Sequence, residues 1–338
     1  MLTTIILTLI VLGIMILFHE VGHFVAAKLS DVHVYEFALG MGPKLISTTR
    51  GETTYSLRMI PIGGFVRMAG EDPEDGEDPR GLNKKSYLAR LIISFAGAFM
   101  NFVLAILLFS VIIFFQGVPD QTAVIGEIFP DTPAAEIGLQ AGDRFVEING
   151  VAINGWSDIT AQIKSRPSQS ITITIDRQGE QQSFEVVTKQ DELSKDGYIG
   201  IGPVLKRGSI FQAVGSGIRQ TLLMIQMIIM AFVSIITGQT GAQGAGPLGI
   251  AQMVGEVSKT GVLNTLSFTA MLSINVGIFN LLPVPPLDGS RILLILIEAV
   301  RGKPIDPKKE NLIFFIGFAL LIMFAVFVTY QDILRLGF

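Results

Sequence analysis

Five stretches of the chain run without a charged residue: Met1 to Phe18, Leu91 to Pro119, Gln220 to Gly255, Thr260 to Leu287 and Asn311 to Gln331. A bilayer core about 30 Å thick is crossed by roughly 20 apolar residues of helix, so each is a candidate span. The first has no Lys or Arg ahead of its apolar run, and its helical pattern continues into His19-Glu20-Val21-Gly22-His23. It is therefore taken as a retained span and not as a cleaved signal peptide. The third ends in Thr237-Gly238-Gln239-Thr240-Gly241-Ala242-Gln243-Gly244-Ala245-Gly246-Pro247, which is loop chemistry. Only Gln220 to Ile236 remains as helix there, short for a span.

From Ala123 to about Val204 the helical period gives way to short strands and turns. Ile171-Thr172-Ile173-Thr174-Ile175 alternates at period two, Arg177-Gln178-Gly179-Glu180 predicts a hairpin turn, and Ser183 to Val187 resumes the alternation. Ala134 to Gly138 and Trp156 to Ser165 predict short helices. About 85 residues suffice for one small α+β domain with its own core.

Composition supports a membrane protein. Of 338 residues, 49% are hydrophobic and 16% charged, against about 25% charged in a soluble domain; mean hydropathy is +0.55. The absence of Cys excludes a disulfide scaffold, a zinc ribbon, a thiolate iron–sulfur site and a Cys nucleophile. A formal charge of -4 leaves no basic excess for phosphates, so nucleic acid is not an expected partner. Nine Lys or Arg lie from Lys28 to Arg90, and five from Arg291 to Lys309. The positive-inside rule places both segments in the cytoplasm. The segment from Asp120 to Arg207, with thirteen acidic against eight basic residues, is then external.

Candidate chemistry sits in the first span. His19 and His23, four residues apart, project from one helix face about one turn from each other. Two imidazoles at that spacing can share a tetrahedral Zn²⁺, and Glu20, about 100° round the helix, suits a general base toward water on the metal. Such a short motif can also arise by chance or serve structure alone. Here, though, it uses two of the chain's three histidines near the cytoplasmic end of an apolar helix, where ionisable groups are costly. His33 belongs to no constellation and is expected to be structural or solvated.

A zinc site of this type needs a third protein ligand. Asn280-Leu281-Leu282-Pro283-Val284-Pro285-Pro286-Leu287-Asp288-Gly289 ends a hydrophobic stretch with three prolines and a carboxylate. The prolines stop the helix and free backbone carbonyls, which at membrane depth must be sheltered. Asp288 could complete a His, His, Asp set, or the loop could simply deliver it to the cytosol. The first option requires Asp288 to end an outside-to-inside helix. Gln220 to Ile236 would then lie along or dip into the outer leaflet, leaving four spans.

Two resemblances follow. Ala123-Val124-Ile125-Gly126-Glu127-Ile128, Pro133-Ala134-Ala135, Gly138-Leu139, Gly142-Asp143 and Ile148-Asn149-Gly150 resemble a bacterial PDZ domain. Tyr198, Ile199, Gly200 and Ile201 stand where its circularly permuted form places a carboxylate-binding loop; an ordinary closing strand without ligand is the other reading. With this insert, H-E-x-x-H in the first span and N-x-x-P-x-P-x-L-D-G late in the chain, the sequence resembles the site-2 protease family, in its bacterial RseP-type branch. Gly97, Asn101, Pro61 to Val66 and Gly246 to Ile250 match as well. The chain departs in having Gly97-Ala98 where Gly-Pro is common, and room for one PDZ unit where some relatives carry two.

The resemblance implies an α-helical polytopic membrane protein of about four transmembrane helices plus a membrane-associated helix. One α+β PDZ-like domain is inserted, and a β-hairpin lies on the cytoplasmic side. The segments expected are 1–116, 117–207, 208–259 and 260–338. It implies one Zn²⁺ per chain held by His19, His23 and Asp288, with Glu20 catalytic and Asn280 substrate-binding. Glu52 to Met59 with Gly63 to Met68 predict a hairpin, and in the family such a membrane-reentrant loop presents an edge to substrate, here through Gly63, Gly64 and Phe65. An ordinary cytosolic hairpin is the alternative. Glu71 to Pro79 is acidic and turn-rich, expected as a solvated linker. The implied activity is intramembrane proteolysis of single-span proteins in a bacterial plasma membrane, such as trimmed anti-sigma factors and remnant signal peptides, with the domain outside filtering by size. A non-catalytic PDZ scaffold leaves Glu20 unexplained. A metal permease would be expected to show repeated halves.

Overall fold

The computed structural model describes residues 2–71, 78–191, 194–238 and 246–336. Two units emerge, Met1–Ile112 with Gly217–Phe338, and Ile113–Ser216. The acidic run at 71–79 and the Gly-rich run at 237–247 lie partly outside the described residues.

The first unit opens with helix α1 (Leu2–Leu29), whose buried Val11, Met15, Gly22 and Ala26 recur at helical spacing along one stripe. Strands β1 (Val34–Arg50) and β2 (Thr53–Met68) follow, turning at Gly51, φ 61. Here the structure corrects the hairpin expected from Glu52 to Met68. Both halves of that segment belong to β2, and they do not pair with each other. Glu36 to Leu39 of β1 lies between them, pairing with Thr54 to Leu57 and with Gly64 to Arg67, while Lys44 to Arg50 pairs with Thr53 to Arg58. The polar Glu36 and Lys44 mask the strand pattern of β1, but at this sheet Glu36 takes two cations: it binds Arg58 at 2.8 Å and Lys44 at 3.1 Å. Glu52 ties the turn to Lys28 and Arg80, and these two cations hold its carboxyl down to about 2. His33 is not isolated either, since its Nδ1 lies 2.7 Å from Asp78.

Helix α2 (Tyr87–Gln116) packs against α1 at Gly22, where an added Cβ would stand 2.2 Å from the Ala96 carbonyl oxygen. No other residue permits that approach.

The second unit begins with β3 (Val118–Pro119), β4 (Ile125–Ile128), α3 (Pro133–Glu136), β5 (Arg144–Ile148), β6 (Val151–Ala152) and α4 (Trp156–Lys164). It continues through β7 (Ser170–Arg177), β8 (Glu180–Val187), β9 (Lys189–Gln190), β10 (Gly197–Tyr198), β11 (Ile201–Pro203) and β12 (Leu205–Lys206). A sheet in the order β6-β5-β7-β8 buries Phe145, Ile148, Ile171, Ile173 and Ile175 beneath α4, while β11 pairs β4. The β7–β8 turn takes Gln178 and Gly179 to φ 57 and 92, as a tight hairpin of this hand requires. Its first and last strands pair as well: Leu205 stands opposite Pro119 and Lys206 opposite Val118.

The second unit ends at Ser216 within α5 (Ile210–Ile236), and the first resumes at Gly217 and continues through α6 (Pro247–Lys259), α7 (Val262–Asn280), α8 (Asp288–Arg301) and α9 (Pro307–Leu336). Helix α5 starts ten residues before the expected Gln220. Arg219 interrupts a charge-free stretch but not a hydrogen-bonded helix, so the basis for calling this segment too short is corrected. It is one of five helices among the described residues long and apolar enough to cross a membrane, by length and composition. Helix α7 packs on α2, with Gly277 against Phe102 and Ser273 Oγ donating to the Asn101 carbonyl at 2.8 Å. The proline loop then folds back, Gly289 lying against the Leu281 carbonyl where a Cβ would come within 2.2 Å.

Helix α8 is anchored by Glu298, which is 3% exposed, accepts from Arg90 at 2.5 Å and takes the Ile305 amide at 2.8 Å. Arg90→Met leaves that carboxylate buried without its cation. Chemical denaturation in detergent should show a loss of about 3–5 kcal/mol. Replacing Glu298 by Met as well should recover most of it.

Candidate metal centre and active site

The close approach at Gly22 brings α1 and α2 together where the two histidines emerge. His19 Nε2 and His23 Nε2 lie 3.2 Å apart, with the rings edge to face. Each is 3.3 Å from Asp288 Oδ2, delivered by the first turn of α8. All three ligand atoms fall within 4.8 Å of one another, the only such group of three among the described residues. A four-coordinate ion with bonds of about 2.0–2.1 Å spaces its ligands about 3.3 Å apart, which is the spacing found. Asp288 Oδ2 is buried and accepts no hydrogen bond, so that oxygen is left for a cation. Two imidazole nitrogens and a carboxylate oxygen form a donor set that suits Zn²⁺. The residues fit the metal.

Helix α2 supplies the wall behind the ligands. A Cβ on Gly97 would stand 2.3 Å from His23 Nε2 and 2.8 Å from His19 Nε2, so only glycine leaves the rings their place. His23 Nδ1 lies 2.8 Å from the Ile93 carbonyl; a carbonyl can only accept, so Nδ1 carries the proton and Nε2 presents its lone pair. Asn101, fully buried, faces His19 Nδ1 at 3.3 Å.

A cavity of about 500 Å³ opens beside these groups, lined by His19, Glu20, His23, Asp288, Arg291 and the strand from Gly64 to Met68. Glu20 lies against that strand: a Cβ on Gly64 would come within 3.0 Å of its Cγ. Glu71 accepts from the Met68 amide at 3.0 Å and from Arg291 at 2.5 Å, joining the end of the strand to the helix that begins with Asp288.

The expected site residues are thus unevenly placed. His19, Glu20, His23, Asp288, Gly64 and Phe65 share the cavity. Gly63, at φ 87 with the Met41 side chain over it, and Asn280, half-buried at the end of α7, are not among its lining residues. Tyr198, Ile199, Gly200 and Ile201 belong to the other unit. There the Ile199 carbonyl accepts from the Ala134 amide, the Gly200 carbonyl accepts from the Phe129 amide, and Gly200 takes φ 85. No local pattern in the sequence assigns Gly97, Asn101, Glu71 and Arg291 to the site. The signal available was a Gly and an Asn four apart in an apolar helix, the same spacing as the histidine pair they back.

The family model described as peptidase family M50 matches residues 7–324. The zinc metalloprotease RasP of Oceanobacillus iheyensis is 34% identical, covering 99% of both chains. The regulator of sigma-W protease RasP of Bacillus subtilis is 32% identical, over 98% of this chain and 99% of its own. Among solved structures, the PDZ domain of an SdrC-like protein from Listeria monocytogenes is 23% identical over 26% of this chain and 92% of its own, with TM-score 0.23.

Proposed function

Because the chain belongs to peptidase family M50 and is a zinc metalloprotease with several helices apolar enough to span a membrane, we propose that it cuts single-span proteins within their membrane segments. In this reading His19, His23 and Asp288 hold one Zn²⁺ and Glu20 is the general base. The observation that carries it is the meeting of those three ligand atoms within 4.8 Å, beside a glutamate the metal does not need. A scaffold or a permease leaves Glu20 without a task.

When bound, Zn²⁺ supplies Lewis-acid chemistry, polarising the scissile carbonyl and making water nucleophilic near neutral pH. Glu20 takes the proton of the attacking water and returns it to the leaving amine. Gly64 to Arg67 pairs with Glu36 to Leu39 on one side, and among the described residues no strand covers the other. An unwound substrate adds there by backbone hydrogen bonds, along the edge at Gly63, Gly64 and Phe65, with Asn280 holding its main chain. In the PDZ-like insert, the loop Tyr198 to Ile201 has its Ile199 and Gly200 carbonyls already engaged, so amides are what it offers a peptide carboxylate. A closing strand that binds nothing is the rival.

The charge pattern supports a site toward the cytoplasm and an insert outside a bacterial plasma membrane. The segments 1–116, 117–207, 208–259 and 260–338 then divide the tasks of zinc binding, substrate filtering, membrane association and completion of the ligand set. By likeness to a relative named for regulating sigma-W, the substrates are membrane-held regulators such as anti-sigma factors trimmed by an earlier cut, together with remnant signal peptides.

Purified protein incubated with a tagged single-span substrate should cleave it within the apolar segment. Cleavage should cease with a zinc chelator and return on adding zinc. Chelator-insensitive cleavage, or cuts confined to the soluble flanks, would reject the proposal.

A further inference from the structure

The two imidazoles are held from behind by the same helix, but the groups that hold them differ in kind. For His23 the group is the Ile93 carbonyl, which fixes the proton on Nδ1 and frees Nε2. For His19 it is a carboxamide, which can face the ring with either end. As placed, Asn101 turns Nδ2 toward His19 Nδ1 at 3.3 Å. With that orientation Nδ1 must accept, and the single proton of neutral His19 moves to Nε2. That atom lies 3.2 Å from His23 Nε2 and 3.3 Å from Asp288 Oδ2. The proton would then stand among the ligand atoms and His19 could not ligate.

A half-turn of the amide exchanges Oδ1 and Nδ2, which have the same shape, and moves nothing else. Oδ1 is buried and has no donor in the present orientation. We propose that Asn101 Oδ1 accepts the Nδ1 proton of His19, making Asn101 a positioning residue that fixes the tautomer in which His19 Nε2 is a metal ligand. Asn101 is 0% exposed, so water does not take over this task, and its own backbone carbonyl is held by Ser273 Oγ at 2.8 Å. The inference rests on the assignment of His19 and His23 as ligands, and it makes α2 the orienting partner of both.

The test measures zinc affinity of the full-length protein in detergent by competition with a chelating dye. Asn101→Asp keeps the shape and an acceptor oxygen but cannot donate, whereas Asn101→Leu keeps the volume and removes the acceptor. N101D should hold zinc at least as tightly as the parent protein, and N101L should hold it about 10–100-fold more weakly. Melting of the zinc-free forms reports folding separately. Undiminished affinity in N101L overturns the proposal, as does equal loosening in both variants. If N101L fails to fold, N101D decides alone, because zinc loosened tenfold or more in it overturns the proposal. Loss of the ligand assignment itself would look different: His19→Ala would leave the parent affinity unchanged.

Discussion

Glu20→Gln is expected to lower kcat/KM on a single-span substrate by about 10²–10⁴-fold, the usual contribution of a positioned proton carrier, while one zinc per chain stays bound. Glutamine keeps the length of the side chain and its contact with the strand at Gly64, but it cannot take a proton. Glu20 lines the cavity beside the three ligand atoms without being one of them, so the metal set remains whole. The two readouts must therefore separate: cleavage by product analysis falls, and metal content by elemental analysis does not. Near-normal cleavage would remove Glu20 from the chemistry. Loss of zinc would mean that the side chain holds the site together and does not work on the substrate.

Gly97→Ala should do the reverse, emptying the site in a protein that still folds. The new methyl group would stand 2.3 Å from His23 Nε2, 2.7 Å from His19 Cε1 and 2.8 Å from His19 Nε2. The nearest listeners to that intrusion are the tips of two side chains, which can swing away; the backbone need not move. Alanine is also the better helix former by about 1 kcal/mol. Thermal stability without metal should stay level or rise. Zinc affinity should drop by at least about 100-fold, a factor of ten for each ring that loses about 1.4 kcal/mol of contact, and cleavage should vanish with it. Parent-like zinc affinity in this variant would show that the rings are not pressed against α2.

How far the sequence discloses this arrangement depends on the range of the interaction. The His19–His23 spacing and the proline-bounded Asp288 are local patterns, visible without knowing what packs against them. The alternation of Ile171, Ile173 and Ile175 with Thr172 and Thr174 likewise carries its own signal, since an apolar face against a polar one sets period two. The sheet of the first unit does not, because Glu36 to Leu39 is flanked by two segments of the same later strand. Its charges also belong to ion pairs that form only once those segments meet. The start of α5 is hidden for a simpler reason: a hydropathy scan stops at Arg219, and a backbone hydrogen-bond ladder does not. Asn101 offers only its spacing from Gly97 in an apolar helix. That an imidazole from the first span faces its amide is set by the packing of two helices and by nothing local to the second.

The pairing of Val118 and Pro119 with Lys206 and Leu205 means that the inserted domain is sewn in by a single seam, its incoming and outgoing strands lying side by side. A module held in this way can be cut out, exchanged or doubled through one short joint, because the gap left in the remaining chain is only the width of a strand pair.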